Sequence, residues 1–331
     1  MVKIILIEPI GFCPGVRRAI EKAKKIKSKV QGSVYTDGPL IHNQQVLQSL
    51  KNEHIFEKKI DISFQPESRS AILIRAHGIT PERRRWLNTL CHTHHCPLAD
   101  ATCPDVAHIA AIIRRYSRKG FHFLILGNPD HAEIMGLKGY AETPCLVLQD
   151  IPTLHHFLSQ IETNPNATSL PYVLLSQSTL DVDFFEKAAQ RLGKRLPQLI
   201  VHNTICPATR QRQLSLQQAL KTGLDGLIVI GSKHSHNTQQ LVTLAHKFPT
   251  AVWNIEHMGE INFSELHALG TLGICSGTSA SEQNVQEIYL ALRKNLPKSY
   301  AVRHHDEGTN LRPTISYSSG QISSSQNTPK A

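Results

Sequence analysis

Three Cys-Pro dipeptides divide this chain into stretches of similar length. They stand at Cys13, Cys103 and Cys206, which are 90 and 103 residues apart. Proline suits the first position of a helix because its missing N–H has no helical partner there. Each dipeptide also precedes an amphipathic stretch, so each cysteine is predicted at the N-terminus of a helix. A feature that recurs at this spacing indicates three related units of about a hundred residues each.

Two polar loops follow each of these cysteines at similar distances in the three units. The first loop follows its cysteine at an almost constant distance and contributes His42, His131 and Ser235. The second loop lies more than twice as far along the chain and contributes His77, Ser178 and Ser279. Chance is the alternative explanation, but six loops that agree in this way favour a repeat.

Short apolar runs alternate with amphipathic stretches along most of the chain. Apolar residues make up 40% of it, which is enough for a sizeable core. Runs such as 121–126 and 226–231 are apolar almost without interruption, as is typical of parallel strands covered on both faces. The sequence therefore predicts an α/β protein with three small units, each built around a parallel sheet. The expected bounds are 1–92, 93–196 and 197–303, followed by a polar, disordered tail over 304–331.

The composition limits the classes of partner. The chain has 36 Lys and Arg against 26 Asp and Glu, a net charge of +10, which favours anionic partners. Nucleic acid is not expected, because the clearest basic run, 17–29, has no aromatic side chain. No apolar run reaches the roughly 20 residues of a membrane helix, and the apolar start is too short for a signal peptide. A cytoplasmic protein is expected, in which the seven cysteines are better interpreted as ligands, nucleophiles or buried thiols than as disulfides.

The three repeated cysteines are expected to converge on a pseudo-threefold axis. Free N–H groups at a helix N-terminus stabilise a thiolate, and three thiolates at one point repel one another unless a cation holds them. Zinc with a fourth ligand or a water is one candidate, and an iron–sulfur cluster is the other. Four irons with three protein thiolates would leave one iron open for a substrate. Cys145 and Cys275 lie in apolar strand contexts and are predicted core residues.

The six polar loops supply the groups that bind phosphate, namely hydroxyls, imidazoles and backbone N–H groups at helix starts. If the loops meet as the cysteines do, they form one anion pocket that suits a diphosphate. Glu133 is the exception, because a carboxylate beside a diphosphate is unfavourable. A protonated Glu133 can instead donate a proton, which is its predicted role. The alternative is a helix-start glutamate that interacts with the helix dipole.

The segment CHTHHC, residues 91–96, has the side chains of a zinc site but no second set that completes a finger. It has no counterpart in the other units, so it is interpreted as a variable surface loop. Two competing functions remain open on these patterns. One is a zinc-dependent hydrolase that acts on a phosphorylated substrate through this segment. The other, a nucleic-acid-binding protein, rests on the net charge alone and is the least favoured because the basic run has no interleaved aromatic residues.

Eight short motifs carry a resemblance to a known family. In chain order they are GFCPGVRRAI, IHN, AHGIT, DATCP, HAE, QST, GSKxSxN and SGTSA. Together they resemble the 4-hydroxy-3-methylbut-2-enyl diphosphate reductase family (IspH/LytB). The resemblance implies a trefoil of three α/β units around a central 4Fe-4S cluster. It also implies an oxidoreductase of the non-mevalonate pathway of isoprene biosynthesis. In its last step, two electrons and two protons remove a hydroxyl as water and yield isopentenyl and dimethylallyl diphosphate.

The resemblance assigns roles to residues of this sequence. The 4Fe-4S cluster would have three protein thiolate ligands, Cys13, Cys103 and Cys206. The diphosphate would be held by His42, His77, His131, Ser235, Asn237 and Ser279. Glu133 would be the catalytic proton donor, and Ser178 and Thr179 would hold the hydroxyl end of the substrate, with Gln177 behind them. Electrons would come from a small acidic protein, a ferredoxin or a flavodoxin, which the basic surface suits.

Three positions depart from the residues that are usual in the family. His236 stands where Ser is usual, so no side-chain contact with the diphosphate is expected from it. Ser178 stands where Thr is usual, which keeps the hydroxyl but frees its rotamer. Ala132 replaces a usual Pro between His131 and Glu133, a change expected to loosen that loop.

Overall fold

The computed structural model of the chain describes residues 2–296 and 300–304. The predicted polar tail lies outside the described residues from residue 305 onward. The strands are β1 (Lys3–Ile7), β2 (Val34–Asp37), β3 (Ile55–Lys58), β4 (Ala71–Ile74), β5 (Leu98–Asp100), β6 (His122–Leu126), β7 (Cys145–Leu148), β8 (Tyr172–Ser176), β9 (Ile200–Val201), β10 (Gly226–Ile230), β11 (Ala251–Ile255), β12 (Thr271–Ser276) and β13 (Tyr300–His304). The helices are α1 (Pro14–Lys27), α2 (Gln44–Asn52), α3 (Pro81–Thr93), α4 (Pro104–Ser117), α5 (Ala132–Lys138), α6 (Ile151–Thr163), α7 (Pro165–Thr168), α8 (Val182–Gly193), α9 (Pro207–Lys221), α10 (His236–Ala245), α11 (Phe263–Leu266) and α12 (Glu282–Asn295).

The strands form three sheets in which the described strand pairs are all parallel. The first sheet has the order β3-β2-β4-β5, the second β7-β6-β8-β9, and the third β11-β10-β12-β1-β13. Up to β1, the third sheet repeats the order of the other two. The predicted α/β class with three parallel-sheet units is therefore confirmed, and β13 is an addition to the third sheet.

Each sheet includes one strand from outside the unit that the sequence predicts for it. The fourth strand of the first sheet, β5, lies beyond residue 92, and that of the second sheet, β9, lies beyond residue 196. The third sheet takes its fourth strand from the start of the chain, where Ile4 of β1 is paired with Leu272 of β12. The fourth strand of each sheet is therefore the strand just before a Cys-Pro dipeptide. That the ranges 1–92, 93–196 and 197–303 are separate domains stays a prediction.

Strand β6 illustrates why the apolar runs are nearly continuous. Leu124 and Leu126 pack into a cluster with side chains of α6 and α8. The alternate residues, Phe123 and Ile125, pack into a cluster with side chains of α4 and α5 on the other face. Successive strand residues point to opposite faces, so both sets must be apolar when helices cover both faces. Burial of each such side chain contributes about 1.5–3 kcal/mol.

Strand β9 is shorter than its sequence pattern predicts. The apolar run 198–203, like the runs 121–126 and 226–231, predicts a strand, but the paired residues are only Ile200–Val201. Backbone hydrogen bonds to neighbouring strands decide where a strand begins and ends, and β9 lies at the edge of its sheet with a single paired neighbour. Within residues 2–296, no helix combines the length and apolar character needed to cross a bilayer.

Candidate active site

One cavity of about 420 Å³ lies at the carboxyl ends of strands from all three sheets. Loops that follow parallel strands emerge at the same edge of their sheet, which explains why distant residues meet there. The cavity is lined by every candidate site residue of the sequence: Cys13, His42, His77, Cys103, His131, Glu133, Ser178, Thr179, Cys206, Ser235, Asn237 and Ser279.

The strand ends set the position of the polar loops in the same way in each sheet. The polar residue of the first loop lies five residues after the end of its strand: His42 after β2, His131 after β6 and Ser235 after β10. The polar residue of the second loop lies three residues after the end of its strand: His77 after β4, Thr179 after β8 and Ser279 after β12. Thr179, and not Ser178, is therefore the structural counterpart of His77 and Ser279. The prediction that Ser178 is the repeat equivalent of His77 and Ser279 is therefore wrong by one residue.

A backbone hydrogen bond ties each cysteine to the second polar loop of its sheet. The N–H groups of Cys13, Cys103 and Cys206 donate at 3.0, 2.9 and 2.9 Å to the carbonyl oxygens of Thr278, Ala76 and Ser178, respectively. In each case the accepting residue directly precedes the polar side chain of that loop. The cysteines and the polar loops are thus held in one arrangement that occurs three times.

The three cysteines each occupy the N-cap position of a helix, as predicted. Cys13 Sγ accepts the N–H of Val16, and Cys206 Sγ accepts the N–H of Thr209, both at 3.4 Å. Burial raises the pKa of Cys103 to about 11 and also raises the pKa of Cys206. Both thiols therefore keep their protons at neutral pH, and a metal would have to displace these protons to bind.

Gly15, in the first turn of α1, lets two of the sulfur atoms share a small space. A Cβ atom on Gly15 would lie 2.7 Å from Cys103 Sγ and 3.8 Å from Cys13 Sγ. Any larger residue would therefore collide with the sulfur of Cys103. The glycine of the CPG motif is explained by this close approach of helix backbone to a thiol.

Three imidazoles form one wall of the cavity. Ring nitrogens of His42, His77 and His131 lie within 4.8 Å of one another. Burial is the main reason why the pKa of each is lowered, to about 3 for His131, and the positive charges of Arg75 and of neighbouring imidazoles add to it. His131 Nδ1 accepts the N–H of Glu133 at 3.2 Å, so in the neutral ring Nε2 carries the hydrogen. The lowered pKa values keep this wall uncharged at neutral pH.

We expect His131→Gln to make folding stability less sensitive to acid. The unfolded chain takes up a proton at His131 near pH 6.5, whereas the folded chain does so only near pH 3, so stability is lost as pH falls between these values. Between pH 7.5 and pH 5, the free energy of unfolding of the variant should therefore fall by about 1–2 kcal/mol less than that of the wild type. Denaturant unfolding at the two pH values measures this difference. The same substitution at exposed His108 is the matched control, and an equal recovery there would contradict the assignment.

Glu133 is buried and bound to Ser178 through both carboxyl oxygens. Its Oε1 accepts the backbone N–H of Ser178 at 2.7 Å, and its Oε2 lies 2.6 Å from Ser178 Oγ. The side chain is 2% exposed, and burial raises the pKa of the carboxyl group. The pair lies beside the cysteine and histidine walls, so it can hold a proton in the cavity. This contact also fixes the Ser178 hydroxyl, which was expected to be freer than that of a threonine.

Ser235, Asn237 and Ser279 differ in how far their polar atoms are available. Ser235 Oγ accepts the N–H of Thr238 at 3.4 Å and caps α10. The amide of Asn237 is engaged at both ends, since Oδ1 accepts the N–H of Thr278 at 3.0 Å and Nδ2 donates to Thr209 Oγ1 at 3.1 Å. Among residues 2–296, Ser279 Oγ and His77 Nδ1 are buried without a hydrogen-bond partner. Orphaned polar atoms in a cavity indicate a missing polar ligand.

Two side chains that shape the site were not predicted to belong to it. Arg212 is 5% exposed and donates to the carbonyl oxygens of Gly11 and Ser276, at 2.6 and 3.1 Å, which holds the loop before Cys13 against β12. His236 lines the cavity, and its Nδ1 lies 2.8 Å from Thr179 Oγ1. Its departure from the usual residue was a visible signal, whereas Arg212 looked like any polar residue on a helix.

The CHTHHC segment is split between core and surface. Cys91 and Cys96 are buried in one apolar cluster, while His92, His94 and His95 are exposed. The segment is therefore only in part a loop, since residues 91–93 form the end of α3. Thiols and imidazoles that face opposite ways do not surround one ion. Cys275 is a core residue as predicted, and Cys145 is half-buried against a core cluster.

Comparisons with known proteins agree on one family. The family model described as LytB protein matches residues 4–293. A curated 4-hydroxy-3-methylbut-2-enyl diphosphate reductase of Opitutus terrae is 32% identical over 296 residues, which cover 86% of this chain and 97% of that protein. The fold is similar to that of the Plasmodium falciparum E-1-hydroxy-2-methyl-but-2-enyl-4-diphosphate reductase, with a TM-score of 0.81, 21% identity and 95% coverage of both chains.

A second solved structure is titled (E)-4-hydroxy-3-methyl-but-2-enyl diphosphate reductase, the terminal enzyme of the non-mevalonate pathway. Its TM-score is 0.61 at 28% identity, with 89% of this chain and all of that chain covered. The family model spans most of the chain, and the Opitutus terrae relative is matched along almost its whole length. This chain therefore belongs to the LytB protein family of 4-hydroxy-3-methylbut-2-enyl diphosphate reductases.

Proposed function

We propose that this chain reduces 4-hydroxy-3-methylbut-2-enyl diphosphate to isopentenyl and dimethylallyl diphosphate, the last step of the non-mevalonate pathway. The observation that carries the proposal is the cavity where three N-cap cysteines, three neutral imidazoles and a buried carboxyl group meet. The relatives named as this reductase support the substrate class. Titratable groups with shifted pKa values that line one cavity are typical of a functional site.

The donor set fits a 4Fe-4S cluster with three protein ligands. Cys13, Cys103 and Cys206 come from three sheets, line one cavity and have sulfur atoms at helix N-termini, where N–H groups stabilise thiolates. Soft thiolates select iron–sulfur clusters or zinc, and the cavity of about 420 Å³ that the three cysteines line has room for such a group. When bound, the cluster would supply electrons and an open iron for the substrate hydroxyl.

The histidine wall and the hydroxyls of the loops suit the diphosphate. Neutral imidazoles donate N–H hydrogen bonds, and an anion beside them raises their pKa values, so they gain positive charge as it binds. His77 Nδ1 and Ser279 Oγ, which lack a partner among the described residues, are two of the positions that an anion would satisfy. Ser235 stands at the N-terminus of α10, where the helix dipole attracts negative charge.

Glu133 would supply the proton that lets the hydroxyl leave as water. Its raised pKa keeps the carboxyl group protonated to higher pH than usual, and its hydrogen bonds to Ser178 hold it in place. Ser178 Oγ, which lies 2.6 Å from the carboxyl group, can pass the proton into the cavity.

The electron donor would be a small acidic protein that docks near α1. This helix begins at the cluster ligand Cys13 and carries exposed Arg17, Arg18, Lys24 and Lys25. Arg17 is paired with Glu282, and Arg18 donates to the carbonyl of Thr102, so the basic face is fixed at the rim of the cavity. A ferredoxin or a flavodoxin has the complementary charge.

Anaerobic purification followed by iron, sulfide and zinc assays tests the cofactor, and turnover with dithionite and a redox mediator tests the reaction. We expect iron and sulfide in equal amounts and both isomeric diphosphates as products. Stoichiometric zinc without sulfide, together with release of phosphate from a phosphorylated substrate, would instead support the hydrolase alternative.

A further inference from the structure

Arg212 is a buried cation on α9 whose hydrogen bonds end on backbone oxygens near the proposed cluster ligands. Its side chain is 5% exposed. Its nitrogen atoms donate to the carbonyl oxygens of Gly11, Ala208 and Ser276, at 2.6, 3.3 and 3.1 Å. Gly11 lies two residues before Cys13. Ala208 lies two residues after Cys206. The guanidinium group therefore joins the segments that carry two of the three proposed ligands.

The charge of Arg212 has no carboxylate at ion-pair distance among residues 2–296 and 300–304. A guanidinium group stays charged at neutral pH, and a buried charge is costly unless an opposite charge lies near it. Burial lowers the pKa of Arg212. Negative charge on any of four nearby groups raises that pKa, and these groups are Cys13, Cys206, Cys275 and Glu282.

Two of these four groups are poor counter-charges for Arg212. Burial raises the pKa of Cys275 to about 12, so its thiol is neutral at pH 7. Glu282 is partly exposed to water and forms an ion pair with Arg17. The remaining two groups are Cys13 and Cys206, which become negatively charged when a metal displaces their protons. The missing counter-charge is therefore expected to arrive with the cluster.

The repeat shows that packing at this position does not require a charge. Arg212 is the sixth residue after the cysteine of its Cys-Pro dipeptide. The equivalent residues after the other two cysteines are Ala19 and Ile109. Both are apolar and buried, with exposed fractions of 0% and 1%. The same buried position is thus filled by apolar side chains in α1 and α4, and by a cation in α9.

The hydrogen bond from Arg212 to β12 also has neutral counterparts. Arg212 Nε donates to the carbonyl oxygen of the last residue of β12. At the end of β4, the carbonyl of Ile74 accepts the N–H of Ala101 at 2.9 Å. At the end of β8, the carbonyl of Ser176 accepts the hydroxyl of Thr204 at 2.7 Å. Neutral donors suffice in these two sheets, so the need to satisfy this carbonyl does not explain the charge of Arg212.

We propose that Arg212 is the buried counter-charge of the iron–sulfur cluster, and that it raises the reduction potential of the cluster and helps to retain it. The proposal rests on the proposed function, which places the cluster at the three cysteines. An electron that enters the cluster adds negative charge, so a fixed cation nearby favours the reduced form. Because Arg212 is buried, salt and water screen this interaction less than they screen surface charges.

Redox titration of the cluster-loaded protein with dithionite, followed by visible absorbance and electron paramagnetic resonance, tests the proposal. At the potential where half of the wild-type cluster is reduced, we expect the ratio of reduced to oxidised cluster to be about tenfold lower in Arg212→Gln. For a one-electron couple this is a fall in potential of about 59 mV. Glutamine still donates hydrogen bonds but carries no charge. Arg212→Lys keeps the charge and should stay close to the wild-type potential.

Arg210→Gln is the matched control. Arg210 lies two residues away on the same helix, but it is exposed, so water and salt screen its charge. This variant should keep the wild-type potential. The samples are matched in iron and sulfide content, and circular dichroism checks the fold of each variant.

Each outcome supports or overturns the role of Arg212. An unchanged potential in Arg212→Gln would overturn it. An equal fall in Arg212→Lys would assign the effect to hydrogen-bond geometry and would also overturn it. If Arg212→Gln folds without iron, retention of iron by Arg212→Lys supports the role of the charge, and its loss overturns that role. If Arg212→Gln does not fold, Arg212→Met replaces it, since apolar residues fill this position in α1 and α4. Failure of both neutral variants to fold would show that Arg212 serves the fold, and would overturn the proposal.

The same samples separate this proposal from the proposed function. A wild-type cluster whose potential depends on Arg212 as expected, in a protein that does not reduce the substrate, would refute the proposed function alone. Substrate reduction by the wild type, together with an unchanged potential in Arg212→Gln, would refute the role of Arg212 alone. Absence of an iron–sulfur cluster from anaerobically prepared wild-type protein would refute both.

Discussion

Replacing Cys206 with Ser is expected to remove most of the bound iron and all measurable reductase activity from anaerobically prepared protein. The same result is expected for Cys13→Ser and Cys103→Ser, because each cysteine supplies one of the three proposed thiolate ligands. Serine is itself a good N-cap, so the hydrogen bonds that begin α1 and α9 survive and the fold is retained. Iron and sulfide assays, visible absorbance and turnover measure the loss, and circular dichroism checks the fold.

The half-buried Cys145 provides the matched control for these variants. It lies on β7 and outside the cavity lining, so Cys145→Ser should keep its iron and its activity. Full iron content in all three ligand variants would refute the assignment. Loss of iron in Cys145→Ser as well would show that any cysteine substitution disturbs the protein. The three variants would then not identify the cluster ligands.

Much of this site could be predicted because its parts repeat. One Cys-Pro dipeptide is a common pattern, but three of them, each followed by two polar loops, specify a threefold arrangement without any knowledge of long-range contacts. The structure explains the constant distances, since the polar residues come five or three residues after the ends of equivalent strands. Ser178 was predicted in place of Thr179 because the prediction counted residues from the cysteine. That count includes connections between strands, and these connections differ in length from unit to unit.

Long-range strand pairing could not be predicted from local patterns. The run that forms β1 reads as a buried strand, but nothing in it shows that it pairs with β12, near the opposite end of the described chain. The same holds for β5 and β9, whose partners lie in the preceding sheet. The predicted unit bounds placed these strands with the cysteine that follows them, whereas hydrogen bonding places them with the sheet before it.

The supporting side chains of the site were also beyond sequence reasoning. Arg212 is recognisable only through its acceptors, two backbone carbonyls from segments far apart in the chain. The sequence predicts no side-chain contact with the diphosphate from His236, because its residue type departs from the family's usual one. Its place in the cavity and its contact with Thr179 became visible only in the structure, because the two residues lie in loops far apart in the chain.

Glu133→Gln is expected to bind iron and pyrophosphate like the wild type but to lose about 10²–10⁴-fold in turnover, the usual contribution of a general acid. A glutamine reproduces the hydrogen bonds of the protonated acid, since its oxygen can accept the N–H of Ser178 and its amide can donate to Ser178 Oγ. It cannot release a proton. Single-turnover and steady-state kinetics on iron-matched samples measure the loss.

The pH profile separates proton donation by Glu133 from a merely structural role. Burial raises the pKa of Glu133, and the reaction needs its protonated form, so wild-type turnover should fall as pH rises through that pKa. The Gln variant has no such proton, and its residual activity should lack this limb of the profile. Glu142→Gln, the same change at an exposed position of the same sheet unit, should leave both rate and profile unchanged. A Glu133→Gln enzyme that keeps wild-type turnover within a few-fold, or keeps the same alkaline limb, would place the proton source elsewhere in the cavity. The hydrogen bond between Glu133 and Ser178 would then serve only to hold the loop that carries Thr179.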